Sequence, residues 1–511
     1  MRSNRTSLVI VLVVAVLTTL VAVPLASADT PTDTSALRDA VTVGGVEEHM
    51  AALEAIAIAY KDEGYRASGS PGYDVSADYV AERLADAGYQ VTVQEFDFPF
   101  FEELSDPILE QLSPNPTVYP PYDDAGFATM EYSGSGDVTA LVQAVDVIIP
   151  PAAAANTSTS GCEASDFADF IAGRIALVQR GTCTFALKAQ NAEAAGAVGV
   201  IIFNEGQTGR TDAFLGTLGG PGATVPVVGA AFAVGEELAA GGVEVRMFVN
   251  ATSETRSTSN VIGDTPGGRD DRVVLVGAHL DSVAEAPGTN DNGSGVATLL
   301  EIAEQMSELG IQPRNQVRFA FWGAEESGLV GSEYYVSQLG KRGIKDIALN
   351  LNFDMLASEN YALFVYDGDG SDTTDGAGPN GSGNVEDIFV DYFASQGWPT
   401  YPTALDGRSD YDSFAAVGIP VGGLFTGADG VKTEEQELIY GGEAGENYDR
   451  NYHTPDDTLA NADLGALDLM SDGVAHAVLT FAMTTSAVPG TSKGSTQATK
   501  TPEFKGPKAQ R

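Results

Sequence analysis

Apolar and polar positions along the chain fall into three successive textures. Residues 44–60 repeat with helical period, and a second helix is predicted over 75–87, where Tyr79, Val80 and Leu84 share one face and Gly88 ends the run. A strand over 90–96 follows, and the Pro-rich passage LSPNPTVYPPYDD then breaks the pattern and reads as a boundary. From 126 to 256 short β-like runs alternate with Ala/Gly-rich turns. From 257 to 485 strands alternate with helices. Residues 273–277, 317–322 and 347–353 read as buried strands, and the helix over 295–309 puts Val296, Leu299, Leu300, Ala303 and Met306 on one face before Gly310. That alternation predicts an α/β fold, a mixed, largely parallel sheet flanked by helices.

The two ends differ from the rest. Residues 1–28 have a basic start, an apolar stretch over 8–23 and a small-residue end at Ala26-Ser27-Ala28, the pattern of a secretory signal peptide. The rival reading is a retained membrane anchor, because the apolar run is near the minimum spanning length of about 17 residues. Cleavage before Asp29, secretion and no stable membrane anchor are the expectation. Residues 29–43 form a propeptide or N-terminal segment, and 488–511 a basic low-complexity tail.

The 511 residues, 43% of them apolar, suffice for more than one domain. The formal charge of −44 makes the surface polyanionic and argues against nucleic-acid binding. It suits a secreted or salt-adapted protein, or a merely well-solvated one. There are two cysteines, Cys162 and Cys183. One local disulfide is the simple expectation for an exported chain, ahead of a metal site with no nearby histidine.

The three strongest strands each end in residues that can hold a metal. The first delivers His279 and Asp281, with Asp291 in the loop beyond; the second delivers Glu325 and Glu326; the third delivers Asp354. Late in the chain NYDRNYHTPDD supplies Tyr452 and His453. Sites in open α/β sheets form at the carboxyl ends of strands, so these groups can converge. Imidazole with carboxylates suits zinc. Two histidines and several carboxylates exceed the needs of one tetrahedral ion and fit two ions about 3.5–4 Å apart. The other two histidines, His49 and His476, lie in helical patterns and read as structural.

The motifs GAHLDS, GTNDNGSG, FWGAEESGLVGS, NFDM, GRSDYDSF, VGIPVGGLFTGA and YHTPDD, in that order, resemble the secreted co-catalytic di-zinc aminopeptidases of clan MH. The likeness is closest to bacterial leucine aminopeptidases and more distant to the transferrin-receptor-like exopeptidases. Residues 126–256, centred on GRIALVQRGTCTFALKAQNAEAAGAVGVIIFNE, resemble a protease-associated (PA) domain inserted between two parts of the peptidase, 44–125 and 257–487. The resemblance implies a zinc exopeptidase fold with a small β-rich insertion, two Zn2+ per chain, and peptide or protein substrates with a free N-terminus; a monomer is expected. His279 and Asp354 would bind one zinc, Glu326 and His453 the other, and Asp291 would bridge them. Glu325 would be the general base, Asp281 would hold the ring of His279, and Tyr452 would stabilise the oxyanion. A cis peptide at Asp291-Asn292 is also implied.

Met355 and Phe425 would line an apolar pocket for the first side chain, and Arg408 would lie near polar groups of the substrate; core packing is the alternative for the first two. Asp468 and Asp472 match positions that bind calcium in some relatives, and a solvated acidic face explains them equally well. The chain departs from the pattern at Tyr411, where many relatives have histidine, and at Asn451 and Asp456, where some have a disulfide. The competing classes are a clan-related carboxypeptidase, which would need a basic pocket, a glutaminyl cyclase, and a non-catalytic binding protein, which would have lost ligands retained here.

Overall fold

The structure, a computed structural model, describes residues 32–374 and 376–488. The expected signal peptide over 1–28, and the expected tail over 488–511 apart from Val488, lie outside the described residues. Helix starts follow local chemistry. Thr42 caps Val43–Ala59 by accepting from the N–H of Gly45, and Ser70 caps Pro71–Asp86 by accepting from that of Tyr73, with Pro71 in the first turn. Each such cap stabilises its helix by about 1 kcal/mol. Asn292 caps Gly293–Glu308 through Oδ1, accepting from the N–H of Gly295. A side chain at Gly295 would collide with that same Oδ1 and with the carbonyl of Phe353, at 2.4 and 2.5 Å from its Cβ. Only glycine lets this helix press so close to the sheet.

The main sheet runs in the order Tyr401–Thr403, Phe364–Tyr366, Val421–Phe425, Ile347–Phe353, Arg269–His279, Asn315–Trp322 and Glu244–Asp264, with Gln90–Ser113 paired to the last. The central pairings, Arg269–His279 with Asn315–Trp322 and with Ile347–Phe353, and the latter with Val421–Phe425, are parallel. Both faces are covered, so these strands are largely buried; all seven residues of Ile347–Phe353 are buried. Alternate residues divide between the two faces. Val274, Val276, Ala278, Phe319 and Phe321 join a core with Gly293–Glu308 and Leu464–Met483. Val273, Leu275, Ala320 and Trp322 join a second core with Tyr335, Phe414 and Val417. From Leu37 onward the N-terminal segment belongs to the first of these cores.

Gln90–Ser113 extends far beyond the predicted 90–96. It runs antiparallel to Glu244–Asp264 from the pair Gln90–Asp264 to the pair Ser113–Glu244. The prolines that argue against a strand are accommodated: Pro107 falls in a register shift, and Pro99 lies on an edge strand, where a missing N–H costs no ladder bond. The boundary expected at the Pro-rich passage is corrected. The chain turns there into a hairpin with Thr117–Tyr119, and Leu109 and Tyr119 pack with Phe127, Val142 and Val245 in the core of the inserted lobe. The passage therefore lies inside the insertion, not before it. The lobe's own strands are Gly136–Ala144, Ile175–Gln179, Gly199–Phe203, Val227–Ala230 and Phe127–Thr129, with Phe185–Ala194 and Phe232–Leu238 as helices. Cys162 and Cys183 are joined as a disulfide. No helix among the described residues is long and apolar enough to cross a membrane.

Candidate metal centre

The parallel strands deliver their terminal residues to one edge of the sheet. His279 ends Arg269–His279 and pairs across to Trp322; Glu325 and Glu326 follow Trp322; Asp354 follows Phe353. Three residues beside or within this set, Ala324, Met355 and His453, have positive φ of 54°, 52° and 57°. A non-glycine residue in that region costs roughly 1–3 kcal/mol. The surrounding packing holds the turns that aim Glu325, Asp354 and His453 inward.

The donor atoms form two triads that share one aspartate. His279 Nε2 lies 3.2 Å from Asp291 Oδ1 and 3.3 Å from Asp354 Oδ1. His453 Nε2 lies 3.1 Å from Asp291 Oδ2 and 3.3 Å from Glu326 Oε2. Ligands bonded to zinc at about 2.0–2.2 Å in a tetrahedron stand about 3.3–3.6 Å apart, close to the two distances from each histidine to its carboxylates. Carboxylates crowded this closely repel unless a cation joins them.

The electrostatics agree. Burial, reinforced by Asp291, pushes Glu326 up to about 7. Burial resists a charged ring at His453, but its hydrogen bonds to Asp291 and Glu326 outweigh that and push it up to about 10. Burial also disfavours a charged His279, yet Glu325, Asp354, Asp281 and Asp291 raise it well above the usual imidazole range. Without metal the centre therefore stores protons that zinc must displace. Zinc uptake is expected to release more than one proton per chain and to tighten as pH rises from about 6 to 9. Calorimetry in buffers of different ionisation enthalpy checks this; an uptake indifferent to pH would contradict the ligand set.

Asp281 sits differently from its expected role. The ring Nδ1 of His279 faces the backbone carbonyl of Asp281 at 3.1 Å, while the carboxylate stands 3.7 Å away. That carboxylate instead accepts from the N–H of Glu325 at 3.2 Å, tying the first strand end to the second. Tyr452 stacks on His453 with ring centroids 3.8 Å apart. Burial, then Asp291, Glu326 and Asp354, raise the pKa of its hydroxyl, which keeps it a proton donor.

Several residues that hold the site were not singled out in the sequence. The fully buried guanidinium of Arg66 donates to the carbonyls of Leu280, Pro287 and Gly288 behind the loop that carries Asp291. Asp457 accepts from the N–H groups of Asn290 and Asp291 at 2.7 and 3.1 Å. Asn290 bonds Asp449 at 2.6 Å, and Ser409 donates to Asp354 Oδ2 at 2.7 Å. The peptide Asp291-Asn292 is cis. The motif YDRNYHTPDD contains Asp449 and Asp457, but nothing in its spacing says that they support a loop 160 residues earlier.

The metal cluster forms part of the lining of a cleft of about 80 Å3. Met355 and Phe425 line it with Tyr366, Ala404 and Ala428, and Arg408, Asp406 and Tyr452 complete its wall. Arg408 is paired with Asp429 at 3.0 Å. Asp468 and Asp472 stand apart from the cleft lining, and neither belongs to a group of three ligand-competent side chains among the described residues. Asp472 pairs with Arg38 at 3.8 Å. His49 bonds Tyr79 at 2.7 Å, and His476 bonds Thr34 at 2.9 Å and stacks on Tyr392. His49 also faces Glu301 and Glu304, but Glu304 is already engaged by Arg83 at 2.6 Å.

Comparison with known proteins agrees with this geometry. Residues 260–478 match the model of peptidase family M28, and residues 142–238 match that of the PA domain. The chain is 45% identical to an aminopeptidase of Pseudomonas aeruginosa over 84% of its length and 80% of that protein's. It is 38% identical to a probable leucine aminopeptidase 2 of Aspergillus oryzae, over 86% and 84% of the two chains. Among solved structures, a zinc aminopeptidase from Bacillus subtilis superposes with a TM-score of 0.55 at 25% identity, over 86% of this chain and 94% of that one. With the fold, the ordered motifs and this extent of similarity in agreement, the chain belongs to peptidase family M28, beside the aminopeptidases it matches along most of its length, and carries a PA domain.

Proposed function

We propose that this chain is a secreted zinc aminopeptidase with two ions per chain, removing N-terminal residues with a preference for large apolar ones such as leucine. The observation that carries the reading is the pair of triads sharing Asp291, with one carboxylate oxygen turned to each. His279 and Asp354 would hold one ion and His453 and Glu326 the other. When bound, the two ions lower the pKa of water and polarise the scissile carbonyl. Glu325 takes a proton from the attacking water and delivers it to the nitrogen of the leaving amine. Tyr452 donates its hydroxyl hydrogen bond to the oxyanion. The acidic centre favours a free α-amine. A carboxypeptidase reading is disfavoured, since Arg408, the one arginine or lysine lining the cleft among the described residues, is already paired with Asp429.

The purified protein is expected to hydrolyse leucyl-p-nitroanilide, to lose that activity to a chelator and to regain it with zinc. N-acetyl-leucyl-p-nitroanilide should resist cleavage. Equal rates on the free and blocked substrates, or activity indifferent to chelation, would end this reading.

A further inference from the structure

We infer that the cleft has a built receptor for a cationic first side chain, with Asp406 as its acceptor, so that the substrate class extends to peptides beginning with lysine or arginine. The inference rests on the aminopeptidase reading and refines it. Of the acids lining the cleft, Asp291, Glu325, Glu326 and Asp354 belong to the metal cluster, and Asp406 alone lies outside it. Its carboxylate is exposed but fixed. Tyr411, only 1% exposed, donates its hydroxyl to Asp406 Oδ1 at 3.0 Å and accepts from the N–H of Gly407 at 2.9 Å. The N–H of Arg408 donates to the same Oδ1 at 3.2 Å. The ring of Tyr411 is in turn held against Tyr366 at 4.7 Å.

These bonds all fall on one oxygen. Asp406 Oδ2 has no hydrogen bond among the described residues, and the carboxylate has no cationic partner. The neighbouring Arg408 gives its guanidinium to Asp429 instead. Metal in the cluster would neutralise the other acids of the cleft, leaving Asp406 as the charge still to be matched. A carboxylate fixed at one oxygen and open at the other suits an ammonium or guanidinium. Met355 and Phe425 line the same cleft, an apolar wall that suits the methylene stem of a long side chain. Leucine would use the same apolar wall without reaching the acid.

The test compares kcat/KM for lysyl- and leucyl-p-nitroanilide on the zinc-loaded full chain and two variants. Asp406→Asn, an exposed isosteric change, is expected to lower lysyl hydrolysis by about tenfold, the effect of one partly desolvated ion pair, and to leave leucyl hydrolysis within about twofold. Tyr411→Phe keeps the ring and removes the donor, and should act in the same direction with smaller size. Equal losses on both substrates, or none on either, would overturn the inference. Leucyl cleavage without lysyl cleavage would overturn it too, with the aminopeptidase reading intact. If neither substrate is cleaved, the aminopeptidase reading falls, and calorimetric binding of lysinamide against leucinamide decides this one: a tenfold loss in Asp406→Asn confined to lysinamide supports it, and any other result sinks it.

Discussion

Glu325→Gln is expected to cut turnover by about 10²–10⁴-fold, the range for removing a positioned general base, while zinc content stays that of the parent protein. The side chain is nearly isosteric, and the backbone N–H of Glu325 keeps its bond to Asp281. What is lost is the ability to take a proton. The carboxyl group is buried, and burial, reinforced by Glu326, Asp410 and Asp354, raises its pKa well above the ordinary glutamate value despite the opposing charge of His279. The base works only when unprotonated, so activity should fall as pH drops through its pKa in the loaded enzyme. That acid limb should vanish from the residual activity of the variant. Metal analysis beside steady-state kinetics makes the check, and a variant retaining a tenth or more of the parent rate would remove Glu325 from the chemistry.

Asp291→Ala should be as damaging by another route. One carboxylate serves both triads, with Oδ1 3.2 Å from His279 and Oδ2 3.1 Å from His453. Its removal leaves two ligands on each side, too few for a catalytic zinc site. Turnover is expected to fall by about 10³-fold or more, as when a main electrostatic stabiliser is taken from an active site. The loop itself should persist, because Arg66 and Asp457 hold its backbone and the side chain of Asn290 anchors it to Asp449. A thermal scan separates ligand loss from unfolding. Zinc stabilises a fold that binds it by an amount that grows with the logarithm of its concentration over Kd, so the parent should melt higher with zinc and the variant should not. A zinc-dependent rise preserved in the variant would show that Asp291 is not a ligand.

The metal centre was legible in sequence because metal chemistry is selective about residue type. Few combinations of imidazole and carboxylate follow three buried strands in order, and each apolar run ends beside a donor residue. Ile347–Phe353 is the clearest case: an uninterrupted buried run ending directly at Asp354. The supporting groups were not legible. Arg66 acts on carbonyls more than 200 residues away, and a lone arginine in YRASGS carries no mark of burial. The long ribbon was misread for the opposite reason, since the prolines in FDFPFFEELSDPILE are strand breakers by local rule and are harmless only on an edge or in a bulge.

By itself the sequence determined the α/β pattern and the order along the chain of the imidazole and carboxylate groups able to hold a metal, because hydrophobic period and donor chemistry are properties of short segments. Only the tertiary structure decided that Asp291 turns one oxygen to each histidine, that Asp281 presents its carbonyl rather than its carboxylate to His279, and that Tyr411 fixes Asp406 at the cleft. Those are matters of ångström distances between side chains remote in sequence. They follow from how strands stack and loops pack, which no local pattern encodes.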